Sequence, residues 1–482
     1  MKKPNVLFIM ADSLPPNFLG AYGDRTGATP NLDALAARGA VFENAYCNSP
    51  LCAPSRASLM TGRYVSEIGC LDNANPLSSE IPTAAHAFRR AGYETALAGK
   101  MHFVGHDQLH GFDAHLANEA DYSKCYNPHE YRMAYDWETS PASNPVGTDW
   151  MSPSYVYDEK WDSYTFHYDN DNIIHGQAMR YLSQKTQDSE PFFACVSYHH
   201  PHNPFYIPEE YKARFKDMDL TLPSVPDDIR ERYGVMDKWL NEFHHQPERL
   251  EKIMCKDNLR WLYETFYGMV NDVDSHVGEL LDRLGSKGLL ENTVVVFTSD
   301  HGDMLGHRGM VQKRCLYDWS VKVPLIISMP GESGTVRRVA SPVSLIDLLP
   351  TFAGIAQVAP PEGLPGVSLL PAVSDGGERL PENRVVFSEY HGEGVHAPCF
   401  MAVKDGYKFI YVHGHEEYLY DLTDDPEELN NIGENPEYAA VKEELRRKIF
   451  SQFDPDAVAK NARRSQRDRG YIFNSHFNNQ IR

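Results

Sequence analysis

Val6-Leu7-Phe8-Ile9-Met10 is an unbroken apolar run that ends, after Ala11, on the carboxylate of Asp12. A strand with one wet face alternates apolar and polar residues. An unbroken run predicts a strand covered on both faces, as in parallel sheets between two layers of helices. The chain that follows reads the same way. Pro30 to Arg38 is predicted helical, with Thr29 as cap, Pro30 in the first turn and Gly39 as the stop. Pro82 to Ala91 is a second helix ending at Gly92, and Thr95 to Ala98 and Pro191 to Tyr198 are strands. Asn258 to Leu284 is a long amphipathic helix feeding the strand Thr293 to Thr298, and Val323 to Ser328 and Leu345 to Ala356 add a strand and a helix. This alternation predicts an α/β fold with a largely parallel sheet and helices on both faces.

Beyond the Pro- and Gly-rich stretch from Pro360 to Gly377 the pattern changes. Val385 to Glu389, Phe400 to Val403, Lys408 to Val412 and Tyr418 to Asp421 read as short strands joined by Gly-containing turns, followed by a helix from Pro436 to Phe450. The expected organisation is a main domain over residues 1–375 and a smaller α+β domain over 376–482. Residues 120–170, rich in Tyr and Trp and without periodicity, are expected to form an excursion of the main domain beside its substrate.

At 482 residues the chain is too long for one simple core. Its 46 basic and 67 acidic residues give a net charge of −21, which argues against nucleic acid or an anionic membrane as partner. An anionic substrate stays open, because a metal and a few convergent cations reverse the sign locally. No stretch is long and apolar enough to cross a bilayer, and Met1-Lys2-Lys3-Pro4-Asn5 runs into a short apolar strand without a long apolar region or a small-residue cleavage site, so no secretory leader is expected. The eight cysteines (47, 52, 70, 125, 195, 255, 315 and 399) contain no Cys-x-x-Cys pair, which suits reduced thiols and an expected cytoplasmic location.

The sharpest chemical signal is Leu51-Cys52-Ala53-Pro54-Ser55-Arg56, continuing to Met60-Thr61-Gly62-Arg63. Pro54 favours a first helical turn, so Cys52 is expected at a helix N-terminus, where unpaired N–H groups and the dipole favour an anion. Arg56 adds a fork of donors suited to sulfate or phosphate oxygens. The bland alternative is a small buried thiol ahead of a helix. Asp12 closes the first strand, and Asp300-His301-Gly302-Asp303 follows the strand that ends near Thr298. Two carboxylates at the carboxyl ends of neighbouring parallel strands lie where open α/β sheets place ligands.

The string around Cys52 resembles the sulfatase signature Cys-x-Pro-Ser-Arg with its downstream Thr-Gly-Arg, and the resemblance extends over nearly the whole chain. It implies an alkaline-phosphatase-like α/β fold with a small C-terminal α+β domain. It also implies that a maturation enzyme oxidises Cys52 to formylglycine. One hydroxyl of the hydrated aldehyde then displaces the alcohol from sulfur, and loss of a proton from the other expels sulfate and restores the aldehyde. By the same resemblance Asp12, Asp300 and His301 are metal ligands, with the side chain at Cys52 held against the ion. Ser13 stands where many relatives carry a second acidic residue, and His301 where many have Asn. Calcium is the family's usual ion, with manganese or magnesium as alternatives.

Gly99-Lys100-Met101-His102, His199-His200-Pro201-His202 and Lys313 fit the same resemblance. It gives Lys100 and Lys313 the neutralisation of sulfate oxygens, His102 the removal of a proton from the aldehyde hydrate, and His202 the protonation or binding of the leaving oxygen. Alone, each would read as a solvated loop side chain. Asp72-Asn73-Asn75, the run Gly99 to Phe112 and Ser388-Glu389-Tyr390-His391-Gly392-Glu393-Gly394 look like the choline sulfatase branch. That likeness makes Asn73 a sulfate-contacting amide and brings Glu389 or Glu393 toward a cationic alcohol. The expected activity is hydrolysis of a small sulfate ester, with a phosphonate monoester or phosphodiester hydrolase as rival, and a silent anion-binding protein if Cys52 stays unconverted. The basic and aromatic tail from Lys460 to Arg482 is expected either to be solvated or to pack on a second copy in a homo-oligomer.

Overall fold

The computed structural model describes residues 2–117, 165–243, 254–331, 336–373, 380–381 and 383–478. At its centre β1 (Asn5–Ala11) lies parallel to both β6 (Phe192–Ser197) and β7 (Thr293–Ser299). Its side chains alternate between two cores: Val6, Phe8 and Met10 pack on one side, and Leu7, Ile9 and Ala11 on the other, all fully buried. That double burial is why the run contains no polar residue. Five more strands complete the sheet: β2 (Ala40–Phe42), β4 (Glu94–Gly99), β5 (Ala114–Ala117), β9 (Leu325–Ser328) and β10 (Arg337–Val339) join the central three in the order β10-β2-β9-β7-β1-β6-β4-β5.

Helices cover both faces. Helix α3 (Ala84–Arg90) and α6 (Leu348–Ala356) contribute Phe88 and Phe352 to the core that holds Phe8. On the other face lie α1 (Pro30–Ala36), α4 (Phe166–Gln184) and the 31-residue α5 (Lys256–Ser286). Strand β9 departs from the parallel expectation, running antiparallel to both β7 and β2. A parallel return needs a crossover long enough to carry the chain back along the sheet. Between residues 300 and 321 the regular structure is only a turn of 3-10 helix and the four-residue helix Asp318–Val321, so the chain re-enters from the end it left.

The smaller sheet is antiparallel, built from β12 (Val386–Tyr390), β13 (Cys399–Lys404), β14 (Tyr407–Val412) and β15 (Glu417–Asp421). Asp405 and Gly406, with φ of 50° and 82°, make the two-residue turn between β13 and β14. Cys399, Met401 and Val403 face the main core, whereas Phe400 and Ala402 pack with Leu445 and Ile449 of α7 (Ala439–Gln452). The small sheet thus shares one core with the catalytic part and builds a second with its own helix. The tail continues as α8 (Pro455–Asn478). Most of the expected excursion, residues 118–164, lies outside the described residues.

Candidate active site

Four adjacent parallel strands, in the order β7-β1-β6-β4, end on one edge of the sheet and each hands a polar residue to the same place. Asp300 follows β7, Asp12 follows β1, His199 and His200 follow β6, and Lys100 follows β4. Facing them is α2 (Cys52–Thr61), whose first residue is the nucleophile candidate. Cys52 is 2 % exposed, and one ligand atom from each of Asp12, Cys52, Asp300 and His301 lies within 4.8 Å of the others.

Arg56, one turn into α2, is fully buried and joins the strand ends: Nη2 donates to Asp12 Oδ2 at 3.0 Å, Nε to Asp300 Oδ2 at 2.8 Å and Nη1 to Ser197 Oγ at 2.8 Å. A fourth bond reaches the Lys100 carbonyl. Lys100 Nζ adds a contact to Asp12 Oδ2 at 2.8 Å. Ser13, at φ 65°, orients both carboxylates: its N–H donates to Asp300 Oδ1 at 3.2 Å and its Oγ to Asp12 Oδ1 at 2.9 Å. His301 Nδ1 donates to the Gly302 carbonyl at 2.9 Å, which turns the Nε2 lone pair toward Cys52 Sγ, 3.2 Å away.

Two buried carboxylates and an imidazole with its acceptor nitrogen facing inward form a donor set that fits a hard or borderline divalent cation. The electrostatics agree. Burial raises the pKa of Asp12, but Lys100, His202, Arg56 and His301 outweigh it and hold that carboxyl well below its usual range. Asp300 goes the other way: burial and the neighbouring Asp12 exceed the pull of Arg56. Burial and Asp12 push the Cys52 thiol up, yet Lys313, Lys100 and His301 bring it well below the ordinary thiol value. Cys47, Cys70, Cys195, Cys315 and Cys399 are all pushed up by burial, so Cys52 differs from these structural thiols. Among the described residues every cysteine is free.

His202 Nε2 accepts from Lys313 Nζ, and His202 Nδ1 donates to the Asn203 carbonyl. Burial and the Lys313 charge push His202 down to about 4, so it is a neutral imidazole at neutral pH with a lysine ammonium against it. His102 is buried two residues past Lys100, with φ 56°. Asn73 Oδ1 accepts from the Ala53 N–H at 3.0 Å, capping the start of α2. Glu393 Oε2 lies 3.9 Å from Arg314 Nε. Glu389 sits deeper in the small sheet: Oε1 accepts from Ser66 N at 2.9 Å and Oε2 meets His391 Nε2 at 2.8 Å.

Behind these residues stands a layer that sequence reasoning passed over. Asp171 of α4 accepts from the backbone N–H groups of His199 and His200, at 2.8 and 2.9 Å, and Asp272 of α5 meets His200 Nδ1 at 3.0 Å. The His200 carbonyl in turn accepts from Asp12 N–H at 3.2 Å. The available signal was a carboxylate set among apolar neighbours, as Asp272 is between Val270 and Val273.

Comparison with known proteins follows the same lines. The profile of the sulfatase family matches residues 4–358, and that of the N-sulphoglucosamine sulphohydrolase C-terminal region matches residues 306–454. A choline-sulfatase of Rhizobium meliloti (strain 1021) is 35% identical over 456 residues, covering 90% of this chain and 83% of the relative. An arylsulfatase of Clostridium perfringens (strain 13 / Type A) is 29% identical, covering 94% and 95%. The phosphonate monoester hydrolase structure of Agrobacterium radiobacter superposes with a TM-score of 0.73 at 27% identity, covering 93% of this chain and 95% of the other. With a family profile spanning most of its length and relatives aligned almost end to end, the chain belongs to the sulfatase family and is a sulfuric ester hydrolase.

Proposed function

We propose that the protein hydrolyses a small organic sulfate ester, of the choline sulfate type, to alcohol and sulfate, with Cys52 matured to formylglycine as the nucleophile. The observation that carries this reading is the convergence of Cys52, Arg56 and Lys100 on the Asp12, Asp300 and His301 cluster. Asp12, Asp300 and His301 would hold a divalent ion, calcium in our reading, with Ser13 setting the carboxylates. When bound, that ion would draw charge from the sulfate oxygens and lower the barrier to attack on sulfur. Arg56 fixes both carboxylates, and Lys100 and Lys313 bring positive charge to the oxyanion. In this reading the leaving alcohol takes its proton from the Lys313–His202 pair, a role supported by the hydrogen bond between them. Asn73 caps the start of α2 and presents its amide to sulfate. His102 takes the proton whose loss from the hydrate releases sulfate.

The choline-type alcohol is supported by the likeness to the choline-sulfatase and by the buried carboxylate of Glu393, in a stretch that resembles that branch. A cytoplasmic location and maturation by a formylglycine-generating enzyme belong to the same reading. The structural likeness to a phosphonate monoester hydrolase favours one rival, an aryl phosphodiester or phosphonate as the better substrate.

Two measurements decide. The mass of the proteolytic peptide containing Cys52 tests the maturation, and an unconverted thiol in protein that turns over sulfate esters rules it out. Values of kcat/KM for choline sulfate, an aryl sulfate and an aryl phosphodiester rank the substrates. Choline sulfate is expected to lead, with Glu393→Gln and Glu389→Gln eroding its lead. A higher value for the phosphodiester would transfer the assignment to the rival.

A further inference from the structure

We infer that Arg469 is a positioning residue for the nucleophile: from the C-terminal helix it clamps the loop whose Asn73 caps the helix that begins at Cys52. Terminal helices usually fray and stay solvated. Arg469 instead is 5 % exposed, and its Nη1 and Nη2 donate to Asp72 Oδ1 and Oδ2 at 2.9 and 2.6 Å. Asp72, 2 % exposed, also accepts from Ala74 N–H at 2.9 Å, so the guanidinium grips the carboxylate that shapes the loop. One turn earlier in α8, Ser465 Oγ accepts from Asn75 Nδ2 at 2.9 Å, and Asn75 Oδ1 accepts from the backbone of Leu71 and Asp72. Ala459 and Ala462 complete the dock against Val65, Leu71 and Phe243.

The loop is held at two points, Arg469 gripping Asp72 and Ser465 holding Asn75. Without the guanidinium, the buried Asp72 carboxylate loses its ion-pair partner, while Arg314 stays beside Glu393. An unpaired buried carboxylate moves toward water, and that movement shifts Asn73 off the Ala53 N–H. A backbone donor in the first turn of α2 would then lose its partner beside Cys52. The inference rests on the reading of Cys52 as nucleophile and Asn73 as its neighbour at the sulfate.

The test uses the full-length matured enzyme, with kcat and KM on an aryl sulfate and site-resolved alkylation of Cys70, a buried thiol whose Sγ contacts the Asn75 carbonyl at 3.5 Å. Arg469→Gln is expected to lower kcat by about 10- to 100-fold with KM changed less than about threefold, because misplacement costs the transition state more than the ground state. Cys70 should alkylate faster in the same variant. The double variant Asp72→Asn/Arg469→Gln, which removes the unpaired charge, should recover kcat to within about threefold of the parent. Parent-like kcat in Arg469→Gln overturns the inference, as does a loss matched by the unfolded fraction in circular dichroism. If Arg469→Gln does not fold, Arg469→Lys takes its place: a single-donor cation should give intermediate kcat and faster Cys70 alkylation, and parent values for both overturn the clamp. Asn73→Ala separates the two readings. A parent-like Asn73→Ala would remove Asn73 from the sulfate site, whereas an impaired Asn73→Ala beside an unimpaired Arg469→Gln counts against the clamp alone.

Discussion

Arg56 shows how one side chain can serve geometry and charge together. Its planar fork spans Asp12 and Asp300 across the gap between β1 and β7, with two further acceptors on β6 and at the end of β4. A lysine has one nitrogen and cannot span the four acceptors that the fork reaches. Arg56→Lys, which keeps the charge but leaves buried acceptors without donors, should therefore cost about 1–3 kcal/mol in urea unfolding and should lower turnover as well. Unchanged stability would mean that the carboxylates do not depend on the guanidinium. Cys52→Ala makes a contrasting case. It deletes only a small side chain at the start of a helix, so the unfolding curve should stay close to the parent's. Turnover of every sulfate ester should fall by at least about a thousandfold, as expected when a nucleophile is removed.

Among the elements, α5 carries an electrostatic feature far from the nucleophile. Asp274 is buried on its apolar side and caps the start of α1, accepting from Leu32 N–H at 2.7 Å and Asn31 N–H at 3.1 Å. Burial outweighs these bonds and raises its pKa from 3.8 to about 6. The folded chain thus holds this proton more tightly than the unfolded chain. Its contribution to stability is full below pH 3.8 and is lost as pH rises through about 6. Asp274→Asn removes that dependence. The unfolding free energy of the variant relative to the parent should shift in the variant's favour by up to about 3 kcal/mol between pH 4 and pH 7.5. Urea titrations at the two pH values check it, and a constant difference would show that Asp274 is ionised throughout.

The same elements show what periodicity conveys. The apolar run of β1, the Thr29-Pro30 start of α1 and the long stripe of α5 were legible because each is dictated within one segment. The signature around Cys52 was legible for the same reason, being contiguous. The antiparallel course of β9 was not, since it follows from the absence of a crossover helix and not from its own residues. Nor was the pairing of Asp72 with Arg469, which joins residues 397 apart in sequence. The His199 and His200 supports at Asp171 and Asp272 likewise exist only once α4 and α5 lie on the sheet.

For the molecule as a whole, a divalent ion held by Asp12, Asp300 and His301 would stabilise the fold by mass action. At a free concentration about a hundredfold above Kd the gain is about 2.7 kcal/mol. The Tm should rise with added calcium and fall with a chelator, and Asp300→Ala should lose both the response and the activity. A Tm indifferent to calcium, manganese and magnesium would remove the metal from this site. Assembly is a separate matter, because α8 docks on its own chain through Arg469 while Tyr471, just beyond, is 79 % exposed. We propose that the aromatic end anchors a second copy. Truncation after Gly470, which keeps the clamp, should lower the mass measured by light scattering, and an unchanged mass refutes the idea.

The strand order also sets a timetable. Strand β1 leaves the ribosome first, yet its partners are β6, which starts at residue 192, and β7, which starts at residue 293. At about 5–20 residues per second, roughly 15 to 60 s of synthesis separate the first strand from the second of its neighbours. Throughout that interval a five-residue apolar stretch has no sheet to join, which makes the nascent chain a client for chaperones. Cys52 is 2 % exposed in the finished protein, but in the same interval the helix that buries it has no Asp300 or His301 to close against. The maturation enzyme proposed for this thiol would have its access then, and a host that translates faster than it matures would accumulate a folded protein with an unconverted cysteine sealed inside.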